Sequence, residues 1–144
     1  MATIKLDIIS AERRLVSEQV DYISAPAADG IVGILPRHTP LLTALAIGEL
    51  RYKKDGTEFT FAIHGGFMEV RPDQVTVLAD LAEQADEIDE MRAEEARHRA
   101  AEALKEKPRN DADFAMLEQS LRRAELRVRV ARRKGGARPE IRDQ

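Results

Sequence analysis

Cysteine is absent from these 144 residues, and serine and histidine are scarce: Ser10, Ser17, Ser24 and Ser120, with His38, His64 and His98. Thiol nucleophiles, disulfides, zinc ribbons and thiol redox chemistry are excluded, and the composition suits a reducing cytoplasm. No serine sits in a nucleophile-elbow pattern. His38 falls in a Pro-rich loop, His64 in an alternating run and His98 in a helical one. No two of them have metal-ligand spacing, so each reads as structural or surface and no metal site is expected. Gly30-Ile31-Val32-Gly33 reads as turn and strand, not as a phosphate loop. No carboxylate pair rises above the general acidity. An interaction or regulatory protein without catalytic residues is therefore expected. The one concentration of chemistry is cationic. Arg122, Arg123, Arg127, Arg129, Arg132, Arg133 and Lys134 face a single acid, Glu125, in that run. Such a run is either a solvated face or a docking surface for an acidic protein or for phosphates. On a helix it sits at the end where the dipole favours cations, by about 0.3–1 kcal/mol each.

The elements that must carry these residues change character near residue 80. Thr, Val and Ile supply 20 of residues 1–80 but only 4 of residues 81–144. Six of the eight Gly and four of the six Pro fall before residue 73, with none from Asp73 to Lys107 or from Arg109 to Lys134. β-branched residues suit a pleated sheet, and Gly and Pro mark turns. Ile4, Leu6 and Ile8 alternate with Lys5 and Asp7, and Phe59, Phe61 and Ile63 with Thr60, Ala62 and His64. Val75 and Val77 follow the turn Arg71-Pro72-Asp73, and Asp55-Gly56 is a two-residue hairpin signal. The spacing predicts about eight to ten strands. They would close into an all-β sandwich or flattened barrel over residues 1–86, with a core filled by aliphatics.

Residues 87–134 predict an antiparallel helical hairpin broken at Pro108, and residues 135–144 a disordered tail. Ala93, Ala96, Ala100 and Ala103 recur at heptad spacing, as do Phe114, Leu117, Leu121, Ala124, Val128 and Ala131. Asp89 and Asp111 are the expected N-caps, with a short break from Lys105 to Asn110. An alanine seam buries little area per residue, at roughly 25 cal/mol per Å2. Two readings follow: a marginally stable hairpin that opens when another surface or ligand competes, or a rigid packing appendage. No apolar run reaches the ~18 residues of a membrane span. The first ten residues lack a signal pattern, so no export is implied. A net charge of −3 is too mild to imply bulk binding to nucleic acid.

Specific strings narrow this further. Gly33 to Thr43 reads GILPRHTPLLT, Gly65 to Val70 reads GGFMEV, Val75 to Asp80 reads VTVLAD and Ile88 to Ala93 reads IDEMRA. In this order, over about residues 3–133, the chain closely resembles the epsilon subunit of bacterial F-type ATP synthases. The resemblance implies a non-catalytic rotor subunit of the central stalk of a proton-translocating ATP synthase. It would sit peripherally on the cytoplasmic face of the bacterial cell membrane, touching the membrane only through the complex. The sandwich would bind the gamma subunit and the c-ring, with the loop Arg37, His38, Thr39 and Pro40 near both. Position 37 departs from the family, many of whose members carry glycine there. The hairpin would switch between a compact and an extended state. Extended, it would reach the alpha and beta subunits and inhibit ATP hydrolysis, with Arg122, Arg123, Arg127, Arg129, Arg132 and Arg133 meeting an acidic motif of beta.

Some family members also bind ATP on the folded hairpin as a regulatory ligand, with no cofactor required. Ile88-Asp89-Glu90-Met91-Arg92-Ala93 satisfies their motif. The resemblance carries the remaining positions onto Arg99, Arg123, Arg127 and Glu83. Arg92 and Arg99 are two turns apart and Arg123 and Arg127 one turn, so each pair shares a face. Four guanidiniums would then converge on a triphosphate, with Asp89 accepting from the adenine amino group. The plain alternative is a salt-bridged helix surface, with Glu95 four before Arg99 and Glu118 four before Arg122. A nucleic-acid-binding module using the arginine-rich helix is the competing function. The acidic β half, with few aromatics for base stacking, speaks against it.

Overall fold

The computed structural model describes residues 2–133. Eight strands form the first part: β1 (Ile4–Ser10), β2 (Arg14–Val20), β3 (Tyr22–Ala27), β4 (Gly30–Ile34), β5 (Leu41–Lys54), β6 (Thr57–Val70), β7 (Gln74–Ala79) and β8 (Ala82–Gln84). They make one sheet in the order β2-β1-β7-β6-β5-β3-β4, with β8 on β6. Only β1 and β7 run parallel; the other neighbours are antiparallel. A single core cluster draws on all the strands, from Ile4, Leu6 and Ile8 on β1 to Ala82 on β8, so the sheet folds over on itself as a sandwich. Aliphatics fill it, joined by Met68 and by Tyr52, whose ring stacks on Phe59 and Phe61 at 4.9 and 6.3 Å.

The 14-residue strands β5 and β6 are the spine of this body. Asp55 (φ 52°) and Gly56 (φ 80°) join them, the left-handed pair that a two-residue hairpin needs. At Gly65 (φ 83°) and Gly66 (φ 130°) the backbone of β6 leaves the extended region. Here β6 exchanges β8, paired at Phe61 to Ile63, for β7, paired at Gly66 to Val70. A Cβ on Gly66 would lie 2.2 Å from the Leu78 carbonyl oxygen, so no side chain fits at the crossing.

Alternation holds on β1, where Ile4, Leu6 and Ile8 are fully buried, yet Asp7 is buried as well. Its Oδ2 accepts a 2.7 Å bond from Gln74 Nε2 on the parallel neighbour, while Oδ1 has no partner. On β6 the expected in–out pattern fails from Phe61 to His64, where all four residues are buried. The reason is a second layer: the second of two helices lies over this stretch.

After a 3-10 turn (Ala85–Glu87) come α1 (Glu90–Lys105) and α2 (Phe114–Ala131), packed on each other. Asp89 is the N-cap of α1, its Oδ1 accepting from Arg92 N at 3.1 Å. Asp111 is not the N-cap of α2: its Oδ1 instead accepts from Asp113 N at 2.8 Å, and its carbonyl from Phe114 N at 3.1 Å. The acid closes an Asx-type turn, and the helix starts later than expected. In the alanine seam Ala93 and Ala100 are buried and Ala96 and Ala103 half-buried. Opposite, Ala124, Val128 and Ala131 are buried while Phe114, Leu117 and Leu121 are only half-buried. The residues expected as a disordered tail, and Lys134 of the cationic run, lie outside the described residues. Among the described residues no helix is long and apolar enough to cross a membrane.

Candidate functional site

The last turns of α2 bury two faces at once. One is the seam toward α1. The other is Leu126 and Val130, 1% and 0% exposed, one turn apart. With Val128 and Ala131 they join a cluster containing Ala62 of β6, Ile88 and Ala93, against which Ile47 of β5 and Ala85 pack. This second cluster shares no residue with the sandwich core. α2 is the helix that lies on β5 and β6.

Beside this contact, β6, β8 and α2 bring His64, Glu83 and Arg127 together. Arg127 forks Glu83, Nε to Oε1 at 3.0 Å and an NH2 nitrogen to Oε2 at 3.1 Å. His64 Nε2 lies 3.0 Å from the same Oε1, and Nδ1 is buried without a partner. A hydrogen on Nε2 and a bare Nδ1 is the tautomer that leaves no buried N–H unpaired. Burial works to raise the Glu83 carboxyl, but the hydrogen bonds from His64 and Arg127 and the charge of Arg127 outweigh it and hold it below its ordinary value.

This triad forms one wall of a cleft of about 590 Å3, lined also by Asp80, Leu81, Ala96, Ser120, Arg123 and Ala124. A smaller hollow of about 320 Å3 shares His64, Asp80 and Arg123 and adds Arg122 and Gln119. Of the residues the resemblance assigns to ATP, Glu83, Arg123 and Arg127 thus meet in one cleft. Arg92 and Arg99 do not line it. Arg92 is 85% exposed and 3.8 Å from Asp89, and Arg99 is exposed. Asp89 is engaged as a helix cap. Among the described residues, the expected pairs Glu95–Arg99 and Glu118–Arg122 do not form; Glu94–Arg97 and Glu102–Lys105 pair at spacing i,i+3 instead.

The cationic run divides. Arg127, Arg132 and Arg133 hold carboxylates of this chain: Arg132 meets Glu90 at 3.2 Å and Glu94 at 2.7 Å, and Arg133 meets Glu49 at 3.0 Å. Arg122, Arg123 and Arg129 are exposed and make no ion pair among the described residues. For Glu49 too, burial pushes the carboxyl up, and the guanidiniums of Arg51 and Arg133 more than reverse it.

A second surface lies at the other end of β5. Arg37, Thr39 and Pro40 are exposed and His38 half-buried. Arg37 N donates to Pro72 O at 2.9 Å, and His38 Nδ1 lies 2.6 Å from Thr39 O. Arg37 has φ 68°, the left-handed region that glycine adopts freely, so the backbone keeps a glycine-like shape at the departing position. Six residues of β5, about 20 Å, separate Leu41 beside this loop from Ile47 beneath α2.

The loop borders an apolar stripe that sequence reasoning missed. Ile9, Leu78, Phe67 and Ala44 are register partners across four adjacent strands, so they share one face. Leu78 is 54% exposed and Phe67 59%; Leu42, two residues along β5 from Ala44, is 71% exposed. Contiguous exposed apolar side chains mark an interaction site. Leu41-Leu42 and Val77-Leu78-Ala79 show no alternation, which is the one signal that both faces carry apolar contacts.

Among the described residues no group of three His, Asp or Glu side chains is placed to hold a metal. Residues 3–85 match the family model for the ATP synthase, Delta/Epsilon chain, beta-sandwich domain, and residues 86–132 that for its long alpha-helix domain. Curated relatives named ATP synthase epsilon chain include that of Herpetosiphon aurantiacus, 55% identical over 90% of this chain and 94% of its own. That of Dehalococcoides mccartyi is 49% identical over 93% and 96%. A chain in the cryo-EM structure of Euglena gracilis mitochondrial ATP synthase (OSCP/F1/c-ring) superposes with TM-score 0.76 and 26% identity, covering 87% of this chain and 79% of that one. The sandwich, the hairpin and these matches over nearly the whole length agree: the chain belongs to the ATP synthase delta/epsilon family.

Proposed function

We propose that this protein is the non-catalytic central-stalk subunit of a proton-translocating ATP synthase, and that its helical hairpin is a releasable brake on ATP hydrolysis. The observation that carries the reading is the separation of the two cores. The sandwich core contains no hairpin residue, and the hairpin is held down by one small cluster and two ion pairs, Arg127–Glu83 and Arg133–Glu49. Residues 1–86 act as a stiff foot and residues 87–134 as an arm.

The foot meets the gamma subunit through the apolar stripe Ile9, Leu42, Phe67 and Leu78, and the c-ring through the Arg37–Pro40 loop beside it. Membrane association is peripheral, at the cytoplasmic face, and runs through the complex. When the arm extends, its arginines reach the alpha and beta subunits. ATP acts as a regulatory ligand in the cleft of Glu83, Arg123 and Arg127. The cleft volume of about 590 Å3 is ordinary for a small-molecule site. A ligand held between α2 and the sheet binds only the docked state, and so stabilises it by mass action.

Two experiments test this. Deletion from Ile88 onward in the assembled enzyme is expected to raise ATPase activity with assembly intact; loss of assembly would overturn the brake. Calorimetric titration of the isolated subunit with ATP is expected to saturate, and no saturable signal at millimolar ATP would remove the nucleotide site.

A further inference from the structure

Four carboxylates from three elements converge on seven residues of α2 and its C-terminal cap. Glu49 comes from β5, Glu83 from β8, and Glu90 and Glu94 from the first turns of α1; they hold Arg127, Arg132 and Arg133. These arginines belong to the docked end, where Leu126 and Val130 are buried. Glu49 and Glu83 are largely sheltered, their side chains 11% and 13% exposed. Both keep their charge against burial.

We propose that Glu49, Glu90 and Glu94, together with Glu83, are a built-in decoy for a carboxylate-rich protein surface: the docked end of α2 is an acid-binding surface masked by the chain's own acids. Release of the arm and capture of the partner are then one exchange. The pairs with Glu49 and Glu83 break as the arm leaves the sandwich, those of Arg132 with Glu90 and Glu94 as α2 parts from α1, and each is remade on the partner. A neutral or basic surface returns nothing for the broken pairs, so it cannot draw the arm out. The decoy thereby sets specificity as well as a threshold. Arg122, Arg123 and Arg129, exposed and without an ion pair among the described residues, are left to steer the first encounter before the masked arginines exchange. The partner assignment rests on the brake reading above; the masking itself does not.

The test uses the full chain. The absence of native cysteine allows a donor and acceptor dye to be placed on introduced cysteines, one at the hairpin tip and one on the sandwich. The probe is poly-L-glutamate, with poly-L-lysine and sodium chloride at matched ionic strength as controls. Poly-glutamate, and not poly-lysine, is expected to lower energy transfer in wild type as the arm leaves. Glu49→Gln with Glu83→Gln is expected to open the arm and tighten poly-glutamate binding roughly three- to tenfold, the scale of two partly exposed ion pairs. Arg127→Gln with Arg133→Gln breaks the same two pairs from the other side; it should open the arm equally but weaken binding. That opposition separates a decoy from a mere latch, for which both variants would behave alike. Equal poly-glutamate affinity in wild type and the glutamate variant, or binding that leaves energy transfer unchanged, would overturn the proposal. Thermal unfolding of the sandwich in each variant guards against misfolding. If the glutamate variant behaves as expected but the assembled enzyme shows no arm-dependent inhibition, the brake fails and the masking stands. If the assembled enzyme keeps its arm-dependent inhibition but the glutamate variant binds poly-glutamate like wild type, the masking fails and the brake stands.

Discussion

Leu126→Ala isolates the contact that keeps the arm down. Leu126 is 1% exposed and belongs to the small cluster of Ala62, Ile88, Val128 and Val130, not to the sandwich core. Truncating a buried leucine costs about 2–5 kcal/mol. The lower end applies here, because a peripheral cluster containing three alanines closes over a small void more easily than a deep core. A loss of about 2–3 kcal/mol shifts the docking equilibrium by roughly 30- to 150-fold. Hydrogen exchange reads this locally. Amides of the last two turns of α2 and of Ile88 should lose protection by that factor, while β1, β6 and β7 keep theirs. In the assembled enzyme, basal ATPase should fall as the extended state gains population. The reasoning is refuted if strand amides lose protection by the same factor as the helix. Sandwich and hairpin would then be one cooperative unit, and the arm would be the rigid appendage of the alternative reading.

Docking should also be acid-labile. The docked carboxyls of Glu83 and Glu49 lie below their ordinary values, so their contribution is complete above the undocked value of about 4.3 and is lost as pH falls through the lower docked values. Energy transfer across the hairpin should fall in that acid range before the sandwich melts, and Glu83→Gln should flatten the dependence. Gly66→Ala should destabilise the sandwich by about 3 kcal/mol or more, since φ 130° and the Leu78 carbonyl at 2.2 Å forbid a methyl; urea midpoints measure it. Arg123→Gln should weaken ATP roughly 10- to 100-fold, the scale of a charge-assisted hydrogen bond, whereas Arg129→Gln, outside the cleft, should leave the titration unchanged.

The sandwich and the inner seam are legible in the sequence because each follows one periodicity. Asp55-Gly56, Ile4-Leu6-Ile8 and Phe114 to Ala131 all read directly onto the fold. What escapes is every place where two surfaces share one element. From Leu126 to Val130 the chain alternates Leu, Arg, Val, Arg, Val, which obscures a helix buried on two faces. The run from Phe61 to His64 loses its alternation for the same reason: α2 covers the side that would otherwise meet water. Local acids mislead in another way. Asp89 and Asp111 look alike as caps, and only the turn geometry after Pro108 decides that one caps a helix and the other a turn. Arg123 and Arg127 line one cleft, as residues one turn apart on one helix face can. The locking of Arg127 by Glu83 and His64 depends on which strand α2 crosses, and that is long-range information.

The layout also locates the pivot. β8 is paired to β6, and the 3-10 turn after it is anchored twice: Gln84 N donates to Glu87 Oε1 at 3.3 Å, and Arg13 from the β1–β2 loop pairs with Glu87. Neither needs to move. Ile88 and Asp89 are the next two residues, both extended rather than helical, with ψ 126° and 106°. On the brake reading, rotation there would swing the arm without unwinding α1 or breaking a strand pair. Ile88 is also buried in the docking cluster, so turning the pivot withdraws a side chain from the contact it must release. Hinge and lock are therefore coupled through one residue, and the arm cannot rotate far while docked. This favours two discrete positions over a continuous swing, as a switch between a free and a braked rotor requires. The tip contributes little to either position on the foot: the half-buried Phe114, Leu117 and Leu121 face the hairpin seam, and the docking cluster begins only at Leu126.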